Sequence, residues 1–104
     1  MFKGVAELAL LRVLRGSPEY GLKILEALRE DAGLDIAEGT LYPLLYRLEK
    51  QGSIGSEWRL LDEASHPRKY YAITAQGEAE LEAYIEDWQS MIARFNRFLD
   101  RGKK

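Results

Sequence analysis

Arg68 and Lys69 open the stretch RKYYAIT, two adjacent cations that run into a strand-like pattern and stop at Thr74, a residue able to cap a helix. With His66 just before them they make a small basic patch in a chain of formal net charge −2. Side chains of this kind bind anions: a guanidinium offers a fork of donors to a phosphate, an ammonium a compact point charge. The charge is evenly spread otherwise. Residues 1–36 carry six acids and five bases, residues 37–74 five of each plus the only histidine, and residues 75–104 six and five. An anion site here is therefore a local patch and not a charged half; the alternative for the Arg-Lys pair is an ordinary solvated surface.

Catalysis has no comparable footing. One histidine, no cysteine, no glycine-rich phosphate loop and no acidic pair beside a nucleophile leave no reaction to assign. Ser17, Ser53 and Ser56 have no general base at a readable distance. Without cysteine there are no disulfides or thiolate metal sites, and His66 has no companion ligands, so neither a metal nor a cofactor is expected. The 104 residues make one domain with a modest core, a size at which association often adds stability. No apolar run approaches the ~18 residues of a membrane span. The segment MFKGVAELALLRVLRG carries charges inside its apolar part and lacks a cleavage-site pattern, so a cytoplasmic protein with no membrane partner is expected.

The elements that would position these residues follow from hydrophobic period. A first helix over roughly Lys3 to Leu14 puts Val5, Leu8, Leu11 and either Leu14 or Ala9 on one face, and Arg15-Gly16-Ser17-Pro18 ends it. A second, from about Glu19 to Asp31, turns Leu22, Leu25 and Leu28 inward with Ile24 beside them, and Gly33 closes it. Leu34-Asp35-Ile36 reads as a brief strand or an extended connector. In AEGTLYPLLYRLEKQG, Leu41, Leu44, Leu45 and Leu48 form a narrow apolar stripe, with Thr40, Pro43, Arg47 and Lys50 opposite, flanked by Tyr42 and Tyr46. Pro43 must lie within the first two turns, which places the helix start between Asp35 and Thr40; Gly52 is the stop. Ile54, Ser56, Trp58 and Leu60 then alternate with Gly55, Glu57 and Arg59 as in a half-buried strand. A polar loop over Leu61–Pro67 leads to a returning strand, Arg68 to Thr74, and so to a hairpin. Residues 75 to about 100 form one long helix with Leu81, Ile85, Trp88, Ile92, Phe95 and Leu99 spaced four and three apart, and Tyr84, Met91 and Phe98 alongside. At ~1.5 Å per residue it spans roughly 39 Å, more than this domain can cover, so the face wants a partner helix, the alternative being packing on the first helix.

Three helices followed by a two-stranded hairpin describe an α+β, mainly α fold: a winged helix-turn-helix with a long C-terminal dimerisation helix. Its third helix is sized for the DNA major groove, and its hairpin reaches the neighbouring backbone or minor groove. Residues 1–74 would be the DNA-binding part and 75–104 the dimerisation helix of one structural unit. The basic patch then has a purpose: His66, Arg68 and Lys69 meet phosphates, doubled by a homodimer.

EGTLYPLLYRLEKQGSIGSEW, followed after a short gap by PRKYYAITAQGEAEL and preceded by EYGLKILEAL, resembles the PadR family of bacterial transcriptional regulators over residues 4 to 100, in the manner of its smaller members. The resemblance implies a homodimeric winged-helix repressor acting on a pseudo-palindromic operator. It implies that Thr40 and Tyr42 face DNA, that Arg68 and Lys69 contact backbone or minor groove, and that a flat hydrophobic or aromatic ligand lies between subunits at Trp88, in EDWQSM, with Tyr84, Met91 and Phe95 close by. The pattern departs from the family at Ser53, at Gly55, in a wing with only HPRK, and at Ala37, where a capping serine is frequent and where the helix start is either looser or capped by Asp35. Fewer wing cations imply a shallower salt dependence or weaker nonspecific binding. The Tyr42 hydroxyl either donates to a phosphate or its ring packs on the neighbouring helix. Arg47 either bonds a phosphate or pairs with Glu49 or Glu57. Glu38 either accepts from a cytosine amine or serves the helix dipole. The competing reading is a winged-helix protein-interaction module that binds no operator.

Overall fold

Seven elements follow one another among the residues described in the computed structural model, 4–60 and 66–101. They are α1 (Val5–Gly16), β1 (Glu19–Tyr20), α2 (Gly21–Ala32), α3 (Glu38–Gln51), β2 (Ile54–Arg59), β3 (Arg68–Ile73) and α4 (Ala75–Asp100). A helix start at Lys3, and residues 61–65 of the expected loop, lie outside the described residues. The strands form an antiparallel sheet in the order β1-β3-β2. The hairpin register pairs Ile54 with Ile73 at the base and Arg59 with Arg68 towards the loop. This is the expected winged helix-turn-helix. None of the helices described is long and apolar enough to cross a membrane.

The α3 stripe packs as its spacing demands: Leu41, Leu44, Leu45 and Leu48 are all buried, against Leu10, Leu11 and Leu14 of α1, Ile24 and Leu28 of α2, Ile54, Tyr71 and Leu81. Each fully buried leucine contributes about 1.5–3 kcal/mol. Gly33 and Gly52 stop α2 and α3 at φ of 69° and 88°, the left-handed conformation that a side chain disfavours.

Several expectations need correction. α2 begins at Gly21, because Glu19 and Tyr20 pair with Tyr71 and Tyr70 as a third strand. That pairing rolls Gly21, Ile24 and Leu28 inward and leaves Leu22 54% exposed. The extended piece around Leu34-Asp35-Ile36 is a connector, the second of the two forms expected for it. In α1, Leu10 joins the core while Val5 is exposed, since the helix is covered by α2, β3 and α4 near its middle and C-terminal end. In β2 the alternation outruns the core: Ile54 is buried, but Trp58 is 68% exposed and Leu60 is exposed too, because the hairpin extends beyond the helices. Leu81, expected on a dimerisation face, is fully buried in the chain's own core, and Ile85 and Tyr84 pack against that core. The first turns of α4 lie on α1, as the intrachain alternative had it; Phe95, Phe98 and Leu99, further along, are exposed.

One joint ties α3, the hairpin and α4 together. The Thr74 hydroxyl donates to the Gly52 and Ser53 carbonyls (2.6 and 3.0 Å) and accepts from the Gly77 amide at 3.0 Å, which makes it the N-cap of α4. Ser53, fully buried, donates to Glu80 at 2.5 Å, and Gln76 donates to the Gln51 carbonyl at 2.8 Å. A side chain at Gly77 would collide with the Ser53 carbonyl and the Ile73 side chain. Gly77→Ala is therefore expected to lower stability by about 1–3 kcal/mol, as overpacking does, and Thr74→Ala by about 1 kcal/mol through the lost cap. Urea unfolding followed by circular dichroism measures both; unchanged midpoints would remove the joint's role in stability.

Candidate nucleic-acid interface

Burying one stripe of α3 turns the rest of that helix outward. Thr40, Tyr42, Pro43, Tyr46, Arg47 and Lys50 are exposed. The helix starts at Glu38 with Ala37 as its N-cap and no side-chain capping bond, so Asp35 does not substitute for the missing serine. Thr40, Pro43 and Arg47 line a shallow groove shared with Gly4, Ala6 and Glu7 at the start of α1.

Arg47 is moored across that groove. Its guanidinium donates to Glu7 at 2.6 Å, a carboxylate whose side chain is only 12% exposed. Neither carboxylate weighed from sequence, Glu49 or Glu57, is its partner. Glu49 instead accepts from Ser56 at 2.5 Å and stands 3.7 Å from Lys69, and Glu57 accepts from Arg59 at 2.7 Å. Tyr42 lies against the start of α2, where a Cβ on Gly21 would overlap its phenol, so packing on the neighbouring helix is realised while the residue stays accessible to solvent. Glycine at position 21 is what lets the ring approach so closely.

Strand alternation separates the two cations of RKYY. Lys69 shares a face with Trp58, Tyr71 and the core, its ammonium 5.6 Å from the Tyr71 ring centroid. Arg68 points to the opposite face, its guanidinium carbon 4.4 Å from the Tyr20 ring centroid. His66 is exposed, two residues ahead of β3. The Lys69–Glu49 pair joins the loop-side end of the cationic hairpin to the C-terminal half of α3, where Lys50 stands 5.7 Å over Tyr46. The sequence put Lys50 and Tyr46, the latter 65% exposed, on the outward face of this helix without assigning them to the site, and did not point to Arg59, whose guanidinium carbon sits 4.7 Å over the Tyr70 ring. The signal for Arg59 was its place opposite Arg68 once the hairpin is drawn.

The residues expected around a ligand run along α4 in a graded environment. Tyr84 is packed on the core, Trp88, Met91 and Ile92 are half-buried, and Phe95 is exposed with its ring stacked on Phe98 at 6.2 Å. Burial, then the carboxylates of Glu7 and Glu80, raise the Tyr84 phenol above its ordinary value, with Arg47 opposing them. Among the described residues no cluster of three or more histidines and carboxylates could hold a metal ion.

Comparison with known proteins fits this geometry. Residues 10–83 match the model of the transcriptional regulator PadR-like family. A PadR family transcriptional regulator from Eggerthella lenta DSM 2243 is 36% identical and superposes with a TM-score of 0.82 over 93% of this chain and 83% of that one. A PadR family transcription regulator from Clostridium difficile R20291 is 29% identical, with a TM-score of 0.84 over 92% of this chain and 99% of that one. A transcriptional regulator of Mycobacterium tuberculosis is 43% identical over 49 residues, 47% of this chain and 44% of that protein.

The tyrosines give this surface a pH signature. Tyr71 is raised by burial first, then by Glu49 and Tyr42, and Tyr84 is raised as described. A phenol raised in the folded state stabilises the fold fully below its unfolded value of about 10, and that stability is lost as pH climbs through the folded value, because the unfolded chain ionises first. Urea midpoints are expected to fall between about pH 9 and pH 11, and to fall less in Tyr71→Phe and Tyr84→Phe. An equally steep fall in both variants would assign the loss to other groups.

Proposed function

The chain belongs to the PadR-like family of DNA-binding transcriptional regulators, and from that premise we propose that it is a cytoplasmic homodimeric repressor, bound to a pseudo-palindromic operator and released by a flat hydrophobic or aromatic effector. The observation that carries this reading is the 3.7 Å approach of Lys69 to Glu49, which aligns the basic hairpin with the exposed face of α3. Residues 1–74 supply the DNA-binding part and residues 75–104 the dimerisation helix. Thr40 and Tyr42 face the major groove, Arg47 exchanges Glu7 for a phosphate, and His66, Arg68 and Lys69 follow the backbone beside it. Two such surfaces in a dimer address half-sites about 34 Å apart, one turn of B-DNA.

Dimerisation uses the part of α4 that the core leaves uncovered: Trp88, Ile92, Phe95 and Leu99 with Phe98, continuing Ile85. Aromatic side chains on this stretch, doubled across a two-fold axis, suit a flat apolar ligand near Trp88, Met91 and Phe95, with Tyr84 as the end of the slot resting on the core. A ligand there would change the angle between subunits and so the spacing of the two recognition helices, shifting the population able to hold the operator.

A salt titration of binding to the DNA upstream of the protein's own gene tests the DNA reading. The wild type is expected to bind tightly, and Arg68→Ala with Lys69→Ala to bind more weakly, with a log–log slope shallower by roughly two to four per dimer. Weak and equal binding by both proteins would favour a protein-interaction module instead. In the ultracentrifuge, Phe95→Glu combined with Phe98→Glu is expected to sediment as a monomer and bind the same duplex poorly. A dimer of unchanged stability would remove α4 from the interface.

A further inference from the structure

On the sheet face turned away from the core, four side chains form a continuous stack. The Arg68 guanidinium carbon lies 4.4 Å from the Tyr20 ring centroid, Tyr20 meets Tyr70 edge-on at 5.4 Å and 67°, and the Arg59 guanidinium carbon lies 4.7 Å over Tyr70. The register explains the order, since Tyr20 stands opposite Tyr70, and Arg59 opposite Arg68. Residues paired across strands share a face, and two like charges directly opposite repel. Here each guanidinium has its own ring, and Arg59 also has Glu57 at 2.7 Å.

The two arginines are not equally engaged. Among the described residues Arg68 has no carboxylate within ion-pair distance, and the residue is exposed. A guanidinium stacked through its face keeps its in-plane N–H donors for an oxyanion, and the ring limits the orientations that a free arginine would sample. Tyr70 is buried, 8% exposed, and Tyr20 is fixed by pairing in β1. A strand of two residues adds little to the sheet; besides setting the roll of α2, it puts a ring beside Arg68.

Resting on the reading of a DNA-binding wing, we propose that Arg68 and Arg59 form a two-arginine clamp for a DNA phosphate, with Tyr20 as the positioning residue of Arg68 and Tyr70 as that of Arg59. The clamp reaches beyond the sequence motif to a residue on the outgoing strand and to a tyrosine ahead of α2.

The test uses the full chain and the same duplex and salt series. Tyr20→Leu is expected to weaken binding roughly fivefold to twentyfold per dimer, as loss of a cation–π contact at each wing would, and to make the slope shallower by about one to two. Tyr20→Phe keeps the ring face and is expected to bind within about twofold of wild type. Arg59→Ala is expected to weaken binding and flatten the slope. In an Arg68→Ala background, Tyr20→Leu is expected to change nothing further, which separates positioning from a general effect on folding. Wild-type binding by Tyr20→Leu, equal losses in Tyr20→Phe and Tyr20→Leu, or a full second loss in the Arg68→Ala background would each overturn the clamp while leaving the DNA reading in place. No binding by the wild type at low salt would remove both. In the free protein, the Arg68 side-chain protons are expected to shift upfield by ring current and to lose that shift in Tyr20→Leu; their absence from the shifted region in wild type would refute the stack without recourse to DNA.

Discussion

The Thr74 hydroxyl is the point on which the remaining geometry depends. It receives the first turn of α4 and, through the Gly52 and Ser53 carbonyls, the end of α3. Its backbone amide also donates to the Ser53 carbonyl at 3.1 Å, so that oxygen accepts from both the side chain and the main chain of one residue. Helix ends normally leave carbonyls and amides unpaired. Here the unpaired groups after one helix and before another satisfy each other through a single residue. The helix proposed to read DNA and the helix proposed to join subunits consequently share one rigid corner.

That corner matters because α4 leaves the body of the protein. A compact chain of this length has a radius of gyration of about 13 Å, whereas the Cα atoms here give 16.3 Å, with extents of 65 × 26 × 22 Å. Burial falls along the helix from Leu81, fully covered, through half-buried Trp88, to Phe98 at 61% exposure. Helices of this length draw most of their stability from packing of an apolar face. A free half carrying Phe95, Phe98 and Leu99 is accordingly the segment with most to gain from a second surface.

Much of this was legible in the sequence because strong periods and stop signals coincide. The α3 leucines, Gly33, Gly52, Thr74 and the length of α4 all emerge where spacing and chemistry place them. What was hidden depends on pairing between distant segments. Glu19–Tyr20 is too short to show an alternation, yet it sets the roll of α2 and exposes Leu22. Arg47 finds Glu7, forty residues away, in preference to nearer acids. Trp58 follows the period of a buried strand but stands where the hairpin has no helix beneath it. Periodicity also could not say where along α4 its own chain stops covering it, and so placed Leu81 outside the core.

The Arg47–Glu7 pair bears on how such a surface would sort one DNA from another. Nonspecific attraction grows with the number of phosphate charges that unpaired cations neutralise. Arg47 faces outward already neutralised, in a chain of net charge −2, so an arbitrary duplex gains little from it. Exchanging the carboxylate for a phosphate repays the disruption only where Thr40, Tyr42 and Tyr46 also find matching partners. On the proposed reading, the pair works as a threshold: it shortens dwell time on wrong sequences and leaves more of the protein free to search for the right one.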